Sequence, residues 1–307
     1  MTCPSPNGVD LYGHRGARGE VAENTLASIL HACDVGVAGI ELDVGMTSDG
    51  VVVVCHDRRL NPALTRKSDG DWLAGPGPTI ASLSFRQLQS FDVGRLDPRT
   101  EYGQTFPDQR GADGLRIPTL EQVLMTAAQA TAGRLELIVE VKVSPEAAYE
   151  TASPETLAVA LVDVIEQTDV SVDVVIESFD WRVMDTVEKL SPTTKTAFLT
   201  CAQSWFDTVG FAGGEAGLWT GGHVVREHHG SVPDMVAAVG GRIWAPHFGD
   251  LNEAEVERAK ALGLRIVVWT VNKLEDVEHM MRLGVDGIIT DYPSRWCELS
   301  TVATTKR

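Results

Sequence analysis

The 307-residue sequence predicts an α/β fold, a TIM-type (β/α)8 barrel with a subdomain inserted after the second barrel strand. Short β-branched runs alternate with longer helical patterns almost from end to end, which marks a parallel α/β architecture. The strand-like runs number about eight, as a closed barrel requires. A hydrophobic content of 43% over this length can fill one large core, so residues 1–307 are expected to form a single domain.

The expected strands, in order, are Val9–Gly13, Gly39–Val44, Leu135–Val141, Val174–Phe179, Thr196–Thr200, Arg242–Pro246, Arg265–Thr270 and Gly287–Thr290. Helical patterns fill most of the intervals. Asn24–Val35 is one, and Glu253–Leu262 is another, with Gly263 as its stop signal. Two features interrupt the repeat. Val51-Val52-Val53-Val54 follows the second strand through Ser48-Asp49-Gly50, and the Asp-Gly pair favours a tight hairpin. The stretch 58–116, rich in Gly, Pro and Asp, is too long for an ordinary connection. It reads as a lid or substrate-selecting subdomain, the alternative being a loop without fixed structure. Between 202 and 241 the order of elements is not legible.

Net charge is −17, from 26 Lys and Arg against 43 Asp and Glu. That balance removes the field that drives non-specific nucleic-acid binding and disfavours anionic membranes. An anionic substrate must then be met by a local cation cluster or a metal. No run approaches the roughly 18 apolar residues of a membrane span, so no stable membrane insertion is expected. Residues 1–8 carry neither a basic nor an apolar secretory region, which predicts a cytoplasmic protein. Cys3, Cys33, Cys55, Cys201 and Cys297 are scattered and odd in number, suggesting a reducing compartment, no zinc site and no disulfide frame.

The chemistry-bearing residues begin at Glu41-Leu42-Asp43. Side chains alternate along a strand, so the two carboxylates share a side. In an apolar strand they repel and lose hydration unless a cation or paired donors compensate. Glu140-Val141-Lys142 repeats the geometry on a later strand. An oxygen-only set of this kind selects magnesium, calcium or manganese over zinc. Either pair alone fits equally an internal salt bridge or a partly exposed strand. His14-Arg15-Gly16 follows the first strand and His56-Asp57 the hairpin strand. His14 and Arg15 thus fall at C-terminal strand ends, the active face of a barrel. Two imidazoles beside such a cluster can serve as base and acid near neutral pH, and Arg15 and Lys142 suit a phosphoryl group.

The ordered segments His14-Arg15-Gly16, Glu23-Asn24-Thr25, Glu41-Leu42-Asp43-Val44 with Thr47, Asp49-Gly50, His56-Asp57 and Glu140-Val141-Lys142 resemble the signature of glycerophosphodiester phosphodiesterases. Glu177-Ser178-Phe179-Asp180, Val268-Trp269-Thr270-Val271-Asn272 and Thr290-Asp291-Tyr292-Pro293 agree with it, so the resemblance runs from about residue 11 to 296. Asp92-Val93-Gly94 and Ile117-Pro118-Thr119-Leu120 resemble the family's substrate-side subdomain in its bacterial form. Ala22 departs from the pattern by standing where the family usually has proline, which bears on loop stiffness and no reacting group.

The resemblance implies Glu41, Asp43 and Glu140 as ligands of one divalent metal, Mg2+ or Ca2+. It implies His14 and His56 as the acid–base pair, Arg15 and Lys142 as phosphate contacts, and Phe179 and Trp269 as walls of the substrate pocket. An aromatic at a strand end also fits the top layer of a packed barrel. His31, His223, His228, His229, His247 and His279 are assigned no catalytic role. The implied reaction converts a glycerophosphodiester to glycerol 3-phosphate and an alcohol, the neighbouring glycerol hydroxyl attacking to give a cyclic phosphate that water opens. The alternatives are a lysophospholipase D- or sphingomyelinase D-like lipid phosphodiesterase, a noncatalytic phosphodiester-binding barrel, and a purely structural barrel. The expected partner is a small-molecule substrate.

Overall fold

The structure is a computed structural model that describes residues 3, 8–132 and 135–297. The elements follow as β1 (Asp10–Gly13), α1 (Leu26–Val35), β2 (Gly39–Met46), β3 (Val52–Val54), α2 (Phe85–Leu88), α3 (Glu101–Thr105), α4 (Leu120–Thr131) and β4 (Glu136–Val141). Next are α5 (Pro154–Thr168), β5 (Asp173–Ser178), α6 (Arg182–Leu190), β6 (Lys195–Thr200), β7 (Ala202–Gln203) and β8 (Phe206–Asp207). The last are α7 (Val232–Ala238), β9 (Ile243–Pro246), α8 (Glu253–Ala261), β10 (Arg265–Val268), α9 (Leu274–Leu283) and β11 (Gly287–Thr290).

Strands β1, β2, β4, β5, β6, β9, β10 and β11 are parallel neighbours in that order, and β11 pairs back onto β1. This is the closed eight-strand barrel that the strand pattern predicts. Each expected strand lies within a residue or two of its observed bounds. The helix expected from Asn24 begins at Leu26, because Thr25 caps it by accepting from Ser28 N while Asn24 turns into the left-handed region at φ 53°.

Two apolar layers follow from strand alternation. Residues such as Ile40, Leu42, Leu137 and Val139 face outward and meet the helices in the main core. Tyr12, Ile138, Val175, Leu199, Val267 and Ile289 face inward and fill the barrel. The four-valine run divides in the same way: Val52 and Val54 of β3 join the main core, while Val53 points to the other side. There it packs with Leu60, Ile80, Leu88 and Ile117. The stretch 58–116 therefore has a small core of its own, and β3 is its base. Between β6 and β9 lie the short β7–β8 hairpin, turns, a 3-10 helix (Val225–Glu227) and α7, so this stretch adds no barrel strand.

At the bottom of the barrel the Tyr12 ring is buried, its hydroxyl donating to Glu136 Oε1 at 2.7 Å, with Arg265 Nη1 on the same oxygen at 2.9 Å. Glycine makes room for the ring. A Cβ on Gly39 would stand 2.4 Å from Tyr12 Cε1 and 2.5 Å from the Glu136 carbonyl oxygen. Because one of these neighbours is backbone, a rotamer change cannot relieve the clash. Gly39→Ala is expected to destabilise the fold by about 1–3 kcal/mol, seen as a lower denaturant midpoint with an unchanged slope. An unaltered midpoint would refute this account of the barrel floor.

The cysteine expectation is corrected. Cys3 and Cys297 form a disulfide across a sequence separation of 294, with Cα atoms 5.2 Å apart. Spacing along the chain gives no hint of it. Closure of the barrel places β11 beside β1, and the segments flanking them become neighbours. Cys33, Cys55 and Cys201 are free thiols. No helix of the described residues is long and apolar enough to cross a membrane.

Candidate active site

The C-terminal strand ends surround a cavity of about 680 Å3, a volume in the range of small-molecule sites. Register builds its acidic wall: Asp43 on β2 lies opposite Glu140 on β4, and Glu140 opposite Glu177 on β5. With Glu41 two residues before Asp43 on the same face of β2, this end of the barrel carries four buried carboxyl groups. Glu41, Asp43 and Glu140 each offer an oxygen within 4.8 Å of the others.

The neighbouring cations are Lys142, with Nζ 2.7 Å from Glu140 Oε1 and 3.1 Å from Asp43 Oδ1, and Arg15, with Nε 3.4 Å from Asp43 Oδ2. Asn24 Nδ2 donates to Asp43 Oδ2 at 2.8 Å. Burial opposes ionisation of Asp43, but Lys142, His56 and Arg15 outweigh it and hold the carboxyl well below its ordinary range. The balance is opposite at Glu41, where burial and then Asp43 push the carboxyl well up. Burial likewise raises Glu140, against Lys142, and raises Glu177 further with help from Glu140. Glu177 Oε2 is buried without a hydrogen-bond partner, and Asp43 Oδ1 has only the Lys142 ammonium beside it. A cluster short of positive charge, with carboxylate oxygens left over and only hard donors, has the chemistry to hold a divalent cation such as magnesium or calcium.

Each histidine is held by a carboxylate. His14 Nδ1 is 2.6 Å from Asp291 Oδ1, at the end of β11, and its Nε2 lies 3.7 Å from Glu41 Oε2. Asp291 is fixed by Arg18 Nε and Nη2, both at 2.9 Å, and by Asn272 Nδ2 at 2.6 Å. Burial, then Arg18, pushes the His14 imidazole down to about 4 against the pull of Asp291. His56 Nδ1 is 2.8 Å from Asp57 Oδ1, and Asn61 Nδ2 donates to Asp57 Oδ2 at 2.7 Å. Burial, Arg15 and Lys142 lower His56 as well. In both cases the carboxylate engages Nδ1, so Nε2 is the ring nitrogen outside that pair.

Arg15 sits at φ 49°, so the chain after β1 turns back sharply. Its amide donates to Glu41 Oε2 at 3.0 Å and its Nη1 to Glu23 Oε1 at 2.7 Å. Tyr102 of α3 hydrogen-bonds the other oxygen of Glu23. The insertion thereby touches the Arg15 side of the cavity. Phe179 and Trp269 follow the ends of β5 and β10 and lie edge to face with centroids 5.4 Å apart.

All nine residues singled out from sequence converge on this end of the barrel, and all but Asp43, at 0% exposure, line the cavity itself. Several neighbours were not singled out. Asp291 and Asp57 stand in recognised segments, yet their hold on the histidines depends on tertiary placement. Glu177 could have been found by the strand alternation that found Glu41 and Asp43. Trp205, Phe206 and Trp219 carried no periodic signal.

Residues 14–295 match the model of the glycerophosphoryl diester phosphodiesterase family. A Silicibacter pomeroyi DSS-3 protein of known structure, named for the same family, is 33% identical with a TM-score of 0.84, the match covering 96% of this chain and 94% of that one. A glycerophosphodiester phosphodiesterase of Caldanaerobacter subterraneus subsp. tengcongensis is 27% identical over 92% of this chain and 94% of its own length. An Oleispira antarctica phosphodiesterase, solved with its product sn-glycerol-3-phosphate, shares the fold at a TM-score of 0.69 and 21% identity, covering 95% of this chain and 96% of that one.

Proposed function

Since the chain belongs to the glycerophosphoryl diester phosphodiesterase family, we propose that its cavity hydrolyses glycerophosphodiesters to glycerol 3-phosphate and an alcohol. The observation that carries the reading is the convergence of three carboxylates, two carboxylate-held imidazoles and two cations on one barrel mouth.

Glu41, Asp43 and Glu140 would hold one divalent cation, Mg2+ or Ca2+, which when bound polarises a phosphoryl oxygen and offsets its charge. Arg15 and Lys142 bind the remaining phosphoryl oxygens. One histidine takes the proton from the glycerol hydroxyl next to the phosphodiester as that oxygen bonds to phosphorus. The other gives a proton to the alkoxide as its bond to phosphorus breaks, and water then opens the cyclic phosphate with the proton roles reversed. Asp291 and Asp57 set which ring nitrogen carries each proton. The insertion 58–116 is the substrate-side subdomain, contributing Arg58 and Arg59 to the cavity and Tyr102 behind Glu23.

The test is release of glycerol 3-phosphate from glycerophosphocholine with added magnesium or calcium, run beside lysophosphatidylcholine. Appearance of glycerol 3-phosphate from the water-soluble diester is the expected result. Turnover of the lysolipid alone would replace this reading by that of a lipid phosphodiesterase, and binding without product by a noncatalytic barrel.

A further inference from the structure

One side of the cavity presents aromatic carbon instead of charge. Phe179 and Trp269 come from strand ends, Trp205 and Phe206 from the β7–β8 hairpin, and Trp219 from the loop beyond it. Phe179 meets Phe206 at 4.9 Å and 77° and Trp269 at 82°, while Phe206 meets Trp219 at 5.3 Å and 85°. Rings at near right angles enclose a corner, which suits a compact rounded group better than a flat or linear one. The indole nitrogen of Trp269 donates to the Ala245 carbonyl at 2.9 Å, so this ring offers carbon to a ligand.

No cation of the protein already occupies these faces. Among the described residues the rings with a guanidinium over them are Phe106, Trp72, Tyr12 and Tyr292, none of which belongs to this wall. Arg58 and Arg59, which also line the cavity, are paired with Glu150 at 3.0 and 2.8 Å. His247 lies edge to face with Trp205 and Trp269, and burial pushes its imidazole below the ordinary value against the pull of Asp250.

A glycerol moiety needs donors and acceptors for its hydroxyls, and those lie on the phosphate side. The aromatic side is left for the departing alcohol. A neutral alkyl group would be served as well by aliphatic walls, whereas tryptophan faces give extra attraction to a cation. The net charge of −17 acts in the same direction on an approaching cationic headgroup. We propose that this aromatic corner seats the departing alcohol and selects a quaternary ammonium alcohol such as choline, a proposal that rests on the hydrolytic reading above.

The experiment compares kcat/KM for glycerophosphocholine with that for its neutral isostere, the glycerophosphodiester of 3,3-dimethylbutanol, which has the same shape without the charge. The choline ester is expected to win by about 3- to 30-fold, the range of a cation over an aromatic face. Trp205, 65% exposed, can be changed with little risk to the fold, and Trp205→Ala is expected to shrink that ratio. Equal turnover of the two esters, or a ratio that Trp205→Ala leaves untouched, overturns the proposal while leaving hydrolysis intact. Should neither ester be hydrolysed, it is the hydrolytic reading that fails. Tryptophan fluorescence titrated with choline chloride and with 3,3-dimethylbutanol then decides the binding claim. Saturable quenching by choline alone, lost in Trp205→Ala, supports it, and equal or absent quenching ends it.

Discussion

Replacing either His14 or His56 with alanine is expected to lower kcat on glycerophosphocholine by about 10²- to 10⁴-fold, the usual worth of a positioned acid or base. KM should change little, since phosphate binding is left to Arg15, Lys142 and the acidic cluster. A substrate with a good leaving group separates the two roles. With p-nitrophenol in place of choline the departing oxygen needs no proton, so the variant lacking the acid should recover most of its rate while the variant lacking the base should not. The pairing of His14 with Asp291 and of His56 with Asp57 gives no reason to prefer either order. Asymmetric recovery is nevertheless expected, because one proton leaves the attacking oxygen and another reaches the departing one. Near wild-type rates for both alanine variants, with folding verified by circular dichroism, would remove the acid–base proposal.

The barrel was legible in the sequence because its strands are buried on both faces and read as β-branched runs at regular intervals. Alternation then placed Glu41 and Asp43 on one side of β2, and register did the rest by setting Asp43 beside Glu140. The partners of the histidines were less legible: Asp291 reaches His14 across 277 positions, through the closure of β11 onto β1. The disulfide escaped for the same reason. Between 202 and 241 the backbone is fixed by single side chains instead of by a repeat. Asp207 alone accepts from the amides of Val209, Gly210, Ala212 and Gly214. Such a loop has no period to read, and so the aromatic residues on it were invisible as a wall.

Stripping divalent metal with a chelator, followed by desalting, is expected to cost about three orders of magnitude or more in kcat/KM, and magnesium or calcium should restore it. Glu140→Gln should bring a similar loss that added metal does not restore. A thermal-shift measurement gives a readout independent of turnover. At about 100 times Kd a cation bound only by the folded state stabilises it by about 2.7 kcal/mol, so the wild type should melt higher with metal and the variant should not. A salt-bridge role for Glu140 predicts something different in metal-free protein. If the residue serves mainly to pair with Lys142, removing its charge breaks a buried ion pair and destabilises the fold by about 3–5 kcal/mol. Burial raises the Glu140 carboxyl against the pull of Lys142, with Asp43 adding to the rise, so removing its charge relieves the burial penalty and the Asp43 repulsion while giving up the Lys142 contact. Lys142 also keeps Asp43 as a partner at 3.1 Å. Metal-free Glu140→Gln is therefore expected to melt no lower than metal-free wild type, and a large drop would assign Glu140 to the ion pair instead of the cation site.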